Sequence, residues 1–110
     1  MSQTITVPLP AAVREDFIEK FGRGQLVAEL GGERKGLDDA WAAIEFAAPR
    51  GTAGTMFTLK CHRALLPLLV TILEVRWADH YGAQTELAAP YDRLVDKLTK
   101  LRNQKPPRKR

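Results

Sequence analysis

Apolar and polar positions alternate through Thr4-Ile5-Thr6-Val7-Pro8-Leu9, which puts Ile5, Val7 and Leu9 on one face and predicts a half-buried strand. Pro8 has no N–H for a ladder, so this strand is expected at a sheet edge or near its own end. Pro10 suits the start of a helix, where its missing donor costs nothing. Val13, Phe17, Ile18 and Phe21 then recur at helical spacing, with Glu15, Asp16 and Glu19 expected to face water. Gly22 and Gly24 are the expected stop.

Residues 25–30 form a short apolar run closed by Gly31-Gly32 and read as a strand, and residues 33–36 read as a polar turn. Residues 37–48 satisfy two patterns. Leu37, Ala40, Trp41, Ile44 and Ala48 fit a helix, and the alanines favour one. The rival makes 42–48 a strand that turns through 49–54 into a strand over 55–61, where Phe57, Leu59 and Cys61 share a side. Two strands alone are marginal in water, and this tips the reading narrowly toward the hairpin.

From His62 to Gly82 the apolar residues Leu65, Leu66, Leu68, Leu69, Val70, Ile72, Leu73, Val75 and Trp77 cover most of a helical circumference. Only a stripe near Pro67, Thr71, Glu74 and Ala78 is left for water, so this is expected to be a buried central helix. A last helix starts near Pro90. Its apolar stripe is Tyr91, Leu94, Val95, Leu98 and Leu101, flanked by basic Arg93, Lys97 and Lys100. Two strand-then-helix stretches, 5–21 and 57–73, echo one another, as any two units built on the same patterning do.

These elements define an α+β fold: a small antiparallel sheet of three to four strands packed on the long central helix, with an amphipathic C-terminal helix and a basic tail. A chain of 110 residues is one domain in size, expected to span 1–102, and 103–110 reads as a flexible extension containing Pro106 and Pro107. An apolar fraction of 45% is enough to support a core.

Charge changes the picture. Of 17 Lys and Arg residues, seven lie beyond Asp96, while all 13 acids lie at or before it; residues 1–96 therefore carry ten basic side chains and a net charge of −3. A mildly acidic body ends in a cationic segment, and such a segment neutralises phosphates without needing a shaped site. The candidate nucleic-acid contacts are Arg93, Lys97, Lys100, Arg102, Lys105, Arg108, Lys109 and Arg110.

Catalytic candidates are few. Cys61 is the single cysteine, so neither a disulfide nor a cysteine-based zinc cage is available, and adjacent His62 points the opposite way if both lie on a strand. Arg76, Asp79 and His80 fall within or beside the apolar arc of the long helix, where they form a polar pocket or, more simply, a helix end with Arg76 paired to Asp79. Asp38-Asp39 suits a helix start or a turn, and the 51–55 loop lacks the Lys-Ser/Thr ending of a P-loop. No metal or cofactor is expected.

Thr4-Ile5-Thr6-Val7-Pro8-Leu9 with the helix after it resembles the opening of ribbon–helix–helix DNA-binding proteins, and that resemblance implies strands from two subunits paired in a major groove. It spans about twenty residues. Pro8 and Gly31-Gly32 depart from the pattern, and Thr4, Thr6 and Pro8 include no base-reading side chain, so the functional reading rests elsewhere. That reading is a non-enzymatic accessory protein binding DNA or RNA through its last helix and tail. The alternative is a homodimer, inhibitor or adaptor using Tyr91, Leu94, Val95, Leu98 and Leu101 as its interface. Nothing at the N-terminus reads as a signal peptide and no run spans a membrane, so a cytoplasmic protein is expected.

Overall fold

The computed structural model describes residues 4–103. It is an α+β fold with the order β1 (Thr4–Pro10), α1 (Ala11–Lys20), α2 (Arg23–Glu29), α3 (Leu37–Glu45), β2 (Ala48–Pro49), β3 (Met56–His62), a single 3-10 turn (Arg63–Leu65), α4 (Leu66–Ala83) and α5 (Ala88–Asn103). The sheet has three antiparallel strands ordered β1-β3-β2, with Val7 opposite Leu59 and Ile5 opposite Cys61. The segment 104–110, expected as a flexible tail, lies outside the described residues, and Asn103 belongs to α5 rather than to that tail.

Two expected strands are corrected. Residues 25–30 lie mostly in α2, because Gly22 opens a helix there: its N–H donates to Gln25 Oε1 at 2.8 Å, supplying the cap that a short apolar run does not reveal. Residues 37–45 are helical, and only Ala48–Pro49 remains as the strand beside β3. Gly36 permits the entry to α3 with φ 86°, and a side chain there would also press on Leu65 Cδ2 at 3.0 Å. The exit of α3 is set by Arg14 of α1. Its guanidinium donates to the carbonyls of Ile44 and Glu45, satisfying two of the helix's last acceptors, and it lies 4.7 Å over the Phe57 ring.

β1 pairs with β3 of the same chain along its whole length, so it is no free ribbon for a second subunit. Its alternation puts Val7 and Leu9 in the core, where they meet Val13 and Phe17 of α1, Leu26 of α2, Leu37 and Ile44 of α3, Leu59 of β3 and Leu69 and Leu73 of α4. The central helix is buried on Leu66, Leu69, Val70, Ile72, Leu73 and His80, with Pro67, Glu74 and Ala78 exposed as its pattern predicts. It ends one residue past Gly82. Gln84 takes the left-handed conformation (φ 56°), and Thr85 N–H reaches the His80 carbonyl at 3.0 Å. The chain then reverses into α5, and Arg63 at the far end closes the pair by donating to the Leu101 carbonyl at 2.8 Å.

Candidate functional site

The charged residues that sequence places inside the apolar arc of α4 meet a partner from α1. Asp16 stands three residues after Val13 and beside Phe17, both buried, and its carboxylate is held at the junction of α1, α4 and α5 with 17% of the side chain exposed. Arg76 Nε donates to Asp16 Oδ2 at 2.8 Å and Nη2 to Oδ1 at 3.0 Å, a two-point pairing that suits the planar guanidinium. The Tyr91 hydroxyl donates to Oδ2 at 2.7 Å, with the Val13 carbonyl a longer 3.3 Å away. His80 Nε2 lies 2.9 Å from the same oxygen.

A carboxylate only accepts, so the His80 ring carries its proton at Nε2 toward Asp16, leaving Nδ1 to the Thr85 hydroxyl in the α4–α5 turn. The ring also stacks on Tyr91, with centroids 5.2 Å apart. Burial by itself would raise the Asp16 pKa, but the hydrogen bonds from Arg76, His80 and Tyr91, with the Arg76 charge, hold it far below the usual carboxylate range. The Tyr91 phenol moves the other way: burial and the adjacent carboxylate push it far up, so it remains a donor. The hydrogen bond to Asp16 raises the already high pKa of Arg76.

What this cluster does chemically follows from its saturation. Both Asp16 oxygens are occupied, three helices supply the donors and the acceptor, and among the described residues no buried side-chain nitrogen or oxygen lacks a partner. It ties α1, α4 and α5 together. Asp79, expected to pair with Arg76, does so only at 3.4 Å and remains mostly exposed. Asp16, expected to face water, is the residue the sequence reading missed.

The expected partner interface is also relocated. Tyr91, Leu94 and Leu98 are core residues, and Val95 and Leu101 pack against that core from its margin. The stripe is satisfied by this chain's own α4 and sheet. Tyr91 therefore offers no ring to a nucleobase, and among the described residues the large apolar side chains most open to solvent are Phe46 (77% exposed) and Tyr81 (66%), the latter with its ring centroid 5.1 Å from that of Trp77.

The opposite side of α5 is charged. Arg93, Lys97 and Lys100 are exposed there beside Asp92 and Asp96, whereas Arg102, also exposed, lies near Arg63 and Pro67 at the start of α4. Lys100 meets Asp96 at 3.1 Å, a pair so exposed that solvent screens most of its attraction. Lys105, Arg108, Lys109 and Arg110 lie outside the described residues.

The remaining candidates separate rather than converge. Cys61 faces the core, and burial pushes its thiol up to about 11, while His62 faces solvent and accepts from Ala64 N–H through Nδ1. Asp38 and Asp39 are in the first turn of α3, where the helix dipole favours them. Among the described residues no three His, Cys, Asp or Glu side chains gather as metal ligands, and no helix is long and apolar enough to cross a membrane. Comparisons with protein-family models, curated proteins and solved structures gave no match.

Proposed function

We propose that this chain is a non-enzymatic accessory protein that binds nucleic acid through the outward face of α5 and the basic segment that follows it. The observation that carries the reading is the division of α5 into two sides. Its apolar side is locked into the core, which fixes the orientation of the helix, and its cationic side is exposed. At 100° per residue, Arg93, Lys97 and Lys100 fall within an arc of about 60°, with Asp96 on its flank and paired to Lys100. Cations fixed on α5 and followed in sequence by Lys105, Arg108, Lys109 and Arg110 suit a phosphate backbone.

Such contacts position the protein without reading bases, so binding is expected to be weakly sequence-dependent. The ionic cluster around Asp16 supports this role indirectly, by fixing α5 to α1 and α4 through Tyr91. Titration of a labelled 20-base-pair duplex and a labelled single strand at low salt tests the reading. Arg93→Glu with Lys97→Glu is expected to abolish binding without altering the far-UV spectrum, and unchanged affinity would end the reading.

A further inference from the structure

The two edges of the sheet are treated differently. Ala11 N–H donates to the Thr55 carbonyl at 2.9 Å, and the prolines at 8 and 10 cannot donate, so the ladder from β1 to β3 runs through the odd-numbered residues 5, 7 and 9. Pro8 and Pro10 therefore occupy outward-facing positions of β1 and remove donors from that edge. On β3 the even-numbered residues face the other way. Arg50 N–H donates to the Met56 carbonyl at 2.8 Å and Thr58 pairs with Ala48, and there β2 ends. The main chain of Lys60 and the N–H of His62 consequently face a position where, among the described residues, no strand lies.

That position is a groove of about 420 Å³ between α3 and β3, walled by Asp39, Ala43 and Phe46 on one side and by Lys60, Cys61 and Leu65 on the other, so that apolar side chains suit its interior and an acid suits only the Lys60 side. Phe46 stands at its mouth with 77% of its surface exposed. Strand amides with no strand beside them among the described residues, an apolar slot in line with β2 and an exposed aromatic wall are together the requirements for strand addition.

We propose that this edge binds an extended peptide segment of a protein partner, one that alternates apolar and acidic side chains and pairs with Lys60–His62 as a continuation of β2. The apolar side chains fill the groove and an acid meets Lys60, which is exposed on the strand face opposite the core. Charge argues for a foreign acidic strand over a second copy of this chain. Two β3 edges paired antiparallel about Lys60 would set the two Lys60 side chains opposite each other, and like charges placed opposite each other destabilise a pair. The other available edge, β1, lacks donors at Pro8 and Pro10.

The test uses the full-length chain and a capped Glu-Val-Glu-Val-Glu peptide, with Lys-Val-Lys-Val-Lys as the charge control. Amide spectra and hydrogen exchange are read at Lys60 and His62. The expected result is saturable shifts confined to β3 and the end of α3, with exchange of both amides slowed about tenfold or more. Lys60→Pro removes an outward donor at a site equivalent to Pro8 and Pro10, and Phe46→Asp alters a side chain already in solvent. Each is expected to keep the wild-type melting temperature and to weaken the acidic peptide about tenfold or more. The proposal is overturned if neither amide responds, if both variants bind as wild type, or if the lysine peptide binds equally well. Dimerisation with the same two amides protected in the absence of peptide also overturns it, since the occupant is then a second copy.

Discussion

Asp16 and Arg76, sixty residues apart in sequence, meet through two parallel hydrogen bonds of 2.8 and 3.0 Å. Neither side chain is more than 17% exposed, so removal of either leaves its partner's charge largely desolvated. Arg76→Met and Asp16→Asn are each expected to cost about 2–4 kcal/mol in urea unfolding. Combining Asp16→Asn with Arg76→Met is expected to cost less than the sum of the two single changes, because no orphaned charge remains. Additive losses in that cycle would show that the pair does not act as a unit.

Tyr91→Phe isolates one spoke of the cluster. The ring still fills its place in the core and still stacks on His80, but the 2.7 Å hydrogen bond to Asp16 disappears. A loss of about 1–2 kcal/mol is expected, near the upper end for a single hydrogen bond because the acceptor is ionised. A neutral result would place the hydroxyl's contribution elsewhere.

The depressed pKa of Asp16 fixes the sign of a pH effect. Through the acid range the unfolded chain binds a proton at this side chain that the folded chain refuses, so stability rises with pH there. The contribution is complete above the ordinary carboxylate value of about 4 and is lost as pH falls through the lower folded value. Urea midpoints measured downward from about pH 5 are expected to fall more steeply for wild type than for Asp16→Asn. Parallel slopes would contradict the assignment.

Much of the fold is legible in the residue pattern. The strands at 4–9 and 56–61, the helix after Pro10, the buried central helix and the last helix all carry long, unambiguous periodicities. What failed was short. Seven residues around Leu26 and Val27 have the same apolar pattern as a strand or as two turns of helix, and a Gly22–Gln25 cap decided between them. At 37–48, β3 does gain the neighbouring strand it needs, yet two residues of β2 suffice, because Arg14 ends α3 and aims the chain there.

Asp16 was hidden for a different reason. Its neighbours Glu15 and Glu19 mark a polar face, and only its place on the flank of Val13 distinguishes it from them. The signal lay in α4, where Arg76 and His80 one turn apart within an apolar arc require a buried acid from some other element.

Leu98→Glu and Leu94→Glu separate core from interface. Leu98 is fully buried and Leu94 nearly so, and a carboxylate at either site is expected to cost about 3 kcal/mol or more. Circular dichroism should show diminished structure. Light scattering showing a folded monomer released from a dimer would return this stripe to the role of partner interface.

Engagement of phosphates by the basic end of the chain is tested most directly by the salt dependence of duplex binding, compared between the full-length chain and a chain ending at Asn103. Removing Lys105, Arg108, Lys109 and Arg110 deletes four cations. The slope of log affinity against log salt is expected to flatten by up to about 3.6, roughly 0.9 for each phosphate no longer neutralised. Equal slopes, or no binding by the full-length chain even at low salt, would contradict the account.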